Sequence, residues 1–383
     1  MAVTLKPVAE QVIVLTGASS GIGLATARDA AARGARLVLV ARNDEALEQI
    51  AEEIRSRGGE AIAVAADVAN PEDLRRVAAA AVDRFGGFDT WINGAAVAIY
   101  GTLEQVPIAD QRRLFEVDYW GVVEGSLIAA RHLKARGGAI INIGSILSDR
   151  SLMLQGQYSA AKHAVKAFTD ALRMELEHEG APISVTLIKP SAIDTPYVEH
   201  ARNYLDSPGN ALPPPVYDPH LVARAILYAC ENPKRDLIVG FGGWAMALLG
   251  RFLPRATDYG MEATMDPMQK SDHPGRRARR DNLYAPREDG AEHSSLPVAS
   301  RKTSLFLEAQ MHPVATFAAI AGLGLAAAYL LRPRKEPPHA HLERRERAAG
   351  IMGNGQDWSA SEAAYLGRRH VSDDHWRALP SDV

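Results

Sequence analysis

Residues 11–34 read QVIVLTGASSGIGLATARDAAARG. A short apolar run enters a glycine-dotted turn, and the turn opens an alanine-rich helical pattern. An apolar run this short, without polar alternation, suits a strand buried on both faces, as in a parallel sheet. Gly17, Gly21 and Gly23 follow the spacing G-x-x-x-G-x-G. Glycines let a backbone turn sharply and come close to a diphosphate, whose charge the N-terminus of the next helix favours. A glycine pattern alone also fits a plain connecting turn. Its place between a strand and a helix makes it informative.

The same alternation continues outward from this stretch. QVIVLT, RLVLVA, AIAVAA, FDTWIN, AIINIG, ISVTLIK and DLIVG are short apolar runs, separated by helical patterns such as DEALEQIAEEIRSRG, PEDLRRVAAAAVDRFG and HLVARAILYACENP. Pro71 stands where a first-turn proline belongs, with Asn70 as its N-cap. Strand and helix alternating seven times predict an α/β fold, a doubly wound parallel seven-stranded sheet of Rossmann type, with a C-terminal extension.

The chain has 383 residues, 47% hydrophobic and 23% charged, with a net charge of −3. This is enough for one large core and an appendage, and the near-neutral balance gives no electrostatic case for nucleic acid. The single cysteine, Cys230, excludes an intrachain disulfide and fits a reducing compartment. The N-terminus lacks the ordered basic, apolar and cleavage regions of a secretory signal.

Character changes after about residue 250. We divide the chain into a sheet domain (1–253), a polar linker (254–312), an apolar helix (313–332) and a polar tail (333–383). The linker is dotted with Pro and Gly and lacks sustained periodicity, so it is expected to be poorly ordered unless docked. Its RRARR run reads as a solvated charge cluster rather than a lipid or nucleic-acid contact. Residues 314–331, VATFAAIAGLGLAAAYLL, contain no charge. At 1.5 Å per residue they span about 27 Å, near the lower limit for crossing a hydrocarbon core. Membrane association is favoured over burial in an oligomer. Arg332, Arg334 and Lys335 would place the tail in the cytoplasm, where the sheet domain must also meet its cofactor, so a simple span conflicts with the positive-inside rule. A hairpin, an interfacial helix or an oligomer-buried helix resolves the conflict. The expected location is the cytoplasmic side of a membrane, or the cytoplasm.

At the end of the second run, LVLVARNDE places Ala41 where an acid would bind a free ribose 2′-hydroxyl, and Arg42 follows. That favours NADP(H) over NAD(H), the alternative being surface pairing of Arg42 with Asp44 or Glu45. Asp67, followed by Val68 in AADVAN, is expected to meet the adenine. Further along, GSILSDRSLMLQGQYSAAKHAV (144–165) places Ser145 thirteen residues before Tyr158 and Lys162 four residues after it. One helical turn puts Tyr158 and Lys162 on one face. A free tyrosine titrates near 10, and an adjacent ammonium favours the phenolate and lowers that value. A tyrosine so adjusted can pass a proton to a carbonyl oxygen or take one from a hydroxyl, and Ser145 can hold that oxygen. Taken alone, a Y-x-x-x-K pair is common in helices.

The ordered set TGASSGIG, NGAA, GS ending a strand, and YSAAK resembles the short-chain dehydrogenase/reductase family over about residues 8 to 245. The resemblance implies NAD(P)-dependent oxidoreduction of a carbonyl or carbinol. Tyr158 would be the acid/base, Lys162 would lower its pKa and hold the nicotinamide ribose, and Ser145 would orient the substrate. The cofactor would be held by Gly17, Ser19, Ser20, Gly21, Ile22, Gly23, Arg42, Asp67, Val68, Asn93, Tyr158, Lys162, Pro190, Ile193 and Thr195; no metal is assigned. The sequence departs from the family pattern at Asp118, where Asn is usual in a proton relay. A buried carboxylate there should raise the pKa of Lys162. It departs again at Gly94 and Ala96 in NGAA, and at Ser191 in KPSAIDTP. Residues 196–217 would form a lid. Its Tyr197, Tyr204 and Leu212, with Met153 and Leu154 beside Tyr158, suggest a small lipophilic substrate. The family also implies a homo-oligomer. The rival reading is a nucleotide-binding scaffold without turnover that uses its extension to engage a partner.

Overall fold

The computed structural model describes residues 3–273, 275, 281–287 and 290–331. The RRARR run, Arg332, Arg334, Lys335 and the tail lie outside the described residues. The chain divides into two compact units, residues 1–317 and 318–383.

In the first unit seven strands form one parallel sheet: β1 Val12–Thr16, β2 Arg36–Ala41, β3 Glu60–Ala65, β4 Thr90–Asn93, β5 Gly138–Ile143, β6 Ile183–Pro190 and β7 Asp236–Val239. These are the seven runs read from the sequence. Their order is β7-β6-β5-β4-β1-β2-β3. The chain winds from β1 out to β3, returns beside β1 as β4 and winds the other way, which opens a crevice at the strand ends where the order reverses.

Side chains alternate across a strand, so β1 feeds two cores. Val12 and Val14 join Val38, Trp91 and Ile140 in one cluster, whereas Ile13 and Leu15 join Leu37, Ile92 and Ile141 in the other. Helices α1 Gly21–Ala32, α2 Asp44–Ser56 and α8 Pro219–Glu231 cover the second face. Helices α3 Pro71–Phe85, α5 Gly121–Leu133 and α6 Gly156–His178 cover the first. Asn70 Oδ1 accepts from the Glu72 amide at 3.1 Å ahead of Pro71, as the sequence predicts. Asp218 caps α8, which follows the short helix α7 at Tyr197–His200, ahead of Pro219 in the same way, at 2.9 Å.

Helix α4, Ile108–Phe115, runs into α5 through a π-helical turn at Glu116–Trp120. Beneath it lies a polar network inside the first core. Asn93 Nδ2 donates to Asn142 Oδ1 at 2.8 Å and Ser126 Oγ at 3.0 Å, while Asn93 Oδ1 accepts from Trp91 Nε1 at 2.8 Å. Asn142 Nδ2 donates on to Thr169 Oγ1 at 2.9 Å. The chain of bonds ties β4 and β5 to α5 and α6.

The segment that lacked periodicity is docked. It forms α10, Pro254–Met268, which follows α9, Phe241–Phe252. Two-residue ladders then join Lys270–Ser271 to Gly209–Asn210 and Ser300–Arg301 to Val216–Tyr217. After α11, Leu305–Met311, comes α12, Pro313–Leu330. Met261, Leu283, Leu307 and Met311 are buried, so the compact unit extends well past residue 253. Four buried apolar side chains spread over some fifty residues leave no repeating pattern to read.

Asn93→Ala strands the Trp91 donor and leaves the Asn142 and Ser126 groups with fewer partners, all inside the core. It should cost about 1–3 kcal/mol, seen as a lower urea midpoint at unchanged slope. An unchanged midpoint would mean that the network does not tie the layers together.

Candidate active site

One cavity of about 360 Å³ occupies the crevice. Gly17, Ser19, Ser20, Gly21, Ile22, Gly23, Arg42, Asp67, Val68, Ser145, Tyr158, Lys162, Pro190, Ile193 and Thr195 all line it. Two assigned residues do not. Asn93 belongs to the buried network between sheet and helices, where its amide donates to Ser126 and Asn142. Asp118 is fully buried behind Lys162.

The glycine loop folds back on itself. Gly17 has φ +74°, and a Cβ there would lie 2.8 Å from the backbone of Ala95. A Cβ on Gly23 would lie 1.9 Å from the Gly17 carbonyl oxygen. No side chain can therefore stand over the start of α1, and this bare cradle at a helix N-terminus fits a diphosphate. Beyond β2, Arg42 donates to the carbonyl of Asn282 and, at 3.4 Å, to that of Leu283. Asp67 pairs with Arg113 at 2.5 Å.

At the other end, β5 stops at Ile143 and Ser145 caps a short turn, its Oγ accepting from the Leu147 amide at 3.1 Å. The Ser145 proton is left to donate elsewhere. Helix α6 begins at Gly156, so Tyr158 and Lys162 occupy its first two turns. The Lys162 ammonium lies 5.4 Å from the centre of the Tyr158 ring, 3.3 Å from Asp118 Oδ2 and 3.3 Å from the carbonyl oxygen of Ile143. Asp118 Oδ1 accepts from the Val97 amide at 2.8 Å.

Burial opposes each of these charges, and the neighbours decide the balance. Burial raises the Tyr158 phenol; Lys162 pulls it down and the Asp118 carboxylate pushes it up, leaving it above the usual tyrosine value. Burial disfavours the Lys162 ammonium, but Asp118 and Tyr158 outweigh this and raise it, in the direction the sequence suggests. Asp118 is itself raised by burial against the pull of Lys162. The sequence reading expects a net lowering at Tyr158; desolvation and Asp118 prevail over the ammonium instead.

A family model described as short chain dehydrogenase matches residues 11–205. The chain is a short-chain dehydrogenase. It is 44% identical over 321 residues to the uncharacterized oxidoreductase YxnA of Bacillus subtilis (strain 168), spanning 83% of this chain and 90% of that one. It is 37% identical over 192 residues to 11-beta-hydroxysteroid dehydrogenase A of Sesamum indicum, spanning 50% of this chain and 54% of that one. Among solved structures, a short chain dehydrogenase/reductase from Burkholderia phymatum in complex with NAD superposes with a TM-score of 0.59 at 25% identity, covering 67% of this chain and 96% of that one. An alcohol dehydrogenase from Thermococcus sibiricus complexed with 5-hydroxy-NADP gives 0.53 at 26% identity, covering 60% and 95%. The dehydrogenase is an oxidoreductase.

Further lining residues of the dehydrogenase carry no local sequence signal. Leu147, Leu152, Met246 and Met265 make the substrate end apolar, joined by Tyr197 and Leu212 from the lid. Tyr204 instead donates to Asp110 at 2.5 Å, and Met153 is partly exposed to solvent. The Tyr197 hydroxyl donates to Gln155 Oε1 at 3.1 Å, and Gln155 Nε2 donates to the buried Gln269 at 2.8 Å. The end of α10 thus fixes the loop that leads into Tyr158. His200 lines the same end and is pushed down to about 4 by burial and Arg287, so it is neutral at physiological pH.

Lys162→Met leaves the Asp118 carboxylate buried without its counter-charge. It should destabilise the dehydrogenase by about 3–5 kcal/mol, and adding Asp118→Asn should restore most of that loss in urea unfolding. If the second substitution brings no recovery, the pair is not coupled.

Proposed function

We propose that this dehydrogenase interconverts a carbonyl and a hydroxyl on a lipophilic substrate with NADP(H). The observation that carries the reading is convergence: Ser145, Tyr158 and Lys162 meet at one end of the cavity whose other end is the glycine cradle. When bound, the dinucleotide supplies or accepts hydride at the substrate carbon. Ser145 holds the substrate oxygen through its hydroxyl, whose oxygen accepts from the Leu147 amide. Tyr158 gives that oxygen a proton in reduction and takes one in oxidation. Lys162 stabilises the phenolate, and Asp118 keeps the lysine charged in a site where burial would otherwise neutralise it. Ala41 and Arg42 support NADP(H), since a guanidinium suits a 2′-phosphate and no acid ends β2. The apolar lining and the hydroxysteroid dehydrogenase relative support a steroid-like or other lipophilic substrate.

The extension supports delivery to a membrane. Helix α12 has eighteen residues, none of them buried. It is apolar on every side, unlike an interfacial helix with one polar face, so insertion among lipid tails suits it better than lying on a surface.

Purified protein should oxidise NADPH with an apolar ketone from a panel, and Tyr158→Phe should lower turnover by about 10²–10⁴-fold. Wild-type binding without turnover across the panel would leave a dinucleotide-binding scaffold instead. Because the Asp118 carboxylate raises Tyr158, Asp118→Asn should lower that pKa and move the rising limb of the alcohol-oxidation profile to lower pH; a shift to higher pH overturns the assignment. Carbonate extraction should leave the full chain in the membrane pellet, and release into the supernatant rejects insertion.

A further inference from the structure

We propose that residues 281–287 and 290–295 form a clasp that closes the dinucleotide site from outside and contributes the Arg287 guanidinium to the cofactor's phosphates. The inference rests on the reading that the cavity takes NADP(H).

The segment follows the crevice from one end to the other. At the β2 end, Arg42 donates to the Asn282 and Leu283 carbonyls, and Arg113 Nε donates to the Leu283 carbonyl at 3.1 Å. The Leu283 side chain is fully buried there. Asn43 Nδ2 then donates to the Arg287 carbonyl at 2.6 Å. Over the glycine loop the clasp exchanges main-chain bonds: the Gly290 amide donates to the Ser19 carbonyl at 2.8 Å, and the Gly21 amide donates to the Ala291 carbonyl at 2.9 Å. Beyond the loop, Glu292 pairs with Arg28 at 2.8 Å and with His220 at 3.0 Å. Ser294 Oγ finally donates to Asp194 Oδ1 at 2.7 Å, beside Thr195.

These bonds engage the parts of the fold that flank an extended dinucleotide: the end of β2, the start of α1 and the segment after β6. They span the crevice without filling it, because Asn282, Pro286 and Arg287 line the same cavity as the glycine loop. The Gly21 amide is one of the donors at the N-terminus of α1, and its commitment to Ala291 means that the clasp and a diphosphate share that terminus. Arg287 is buried and donates to the Glu199 carbonyl on the lid side. It supplies the second cation that the glycine loop itself lacks. A dinucleotide seated beneath such a strap leaves only after the ion pairs at Glu292 open.

Binding to the full chain is read by NADPH fluorescence, and release by stopped-flow displacement with excess NADP⁺. Glu292→Ala removes the latch to Arg28 and His220 and should speed release by about fivefold or more, and Ser294→Ala should speed it in the same direction. Arg287→Gln should raise the NADPH dissociation constant by about fivefold or more. Urea midpoints confirm that each variant is folded. If wild type binds NADPH and all three folded variants stay within about twofold of it, the clasp is wrong while the proposed function stands. If wild type binds neither NADPH nor NADH, the function fails and takes the clasp with it.

Discussion

An ammonium held out of water needs a negative partner, and at Lys162 that need organises the middle of the molecule. The side chain is buried between the Ile143 carbonyl, the Asp118 carboxylate and the Tyr158 ring. In a medium of low polarity a lone charge would be lost to deprotonation, so each neighbour has to be positioned closely. Strand β5 delivers the carbonyl, the π-helical turn delivers Asp118, and α6 delivers both Tyr158 and Lys162. The polar chain from Asn93 through Asn142 to Thr169 joins those same elements. It keeps the helix bearing the chemistry in register with the sheet bearing the crevice.

The choice of a carboxylate at position 118 has two effects of opposite use. It secures the charge on Lys162, yet it opposes ionisation of Tyr158 a short distance away. A neutral amide, which the family resemblance leads one to expect, would do neither as strongly. The protein therefore holds a firmly protonated lysine beside a tyrosine that burial has made reluctant to ionise. A positively charged nicotinamide ring would shift this balance toward the phenolate. That ties proton transfer to the oxidised state of the cofactor through electrostatics alone.

Local patterns made the sheet and the motif residues legible. Each strand is a short apolar run, because β1 and its neighbours are buried on both faces and every position faces a core. Asn70 with Pro71, and the glycines at 17 and 23, carry conformational signals that act within a few residues. What stayed hidden depends on partners distant in sequence. Nothing near Asn93 shows that its amide is used up by Ser126 and Asn142, and nothing near Gln155 announces Gln269. The π-helical turn inserts its extra residue into an ordinary helical pattern, where Gly121 and Gly125 permit close approach to Val68 and Asn93. Residues 281–287 and 290–295 dock mostly through main-chain bonds and single polar side chains, which impose no period on the sequence.

That docking pairs residues far apart in the sequence: Ser19 with Gly290, and Gly21 with Ala291. During synthesis the sheet and its glycine turn emerge from the ribosome long before the covering segment does. A nascent chain consequently displays an uncovered nucleotide crevice until that later segment has been made. The finished enzyme would retain any coenzyme that had already settled there, so its first loading belongs to biogenesis as much as to turnover.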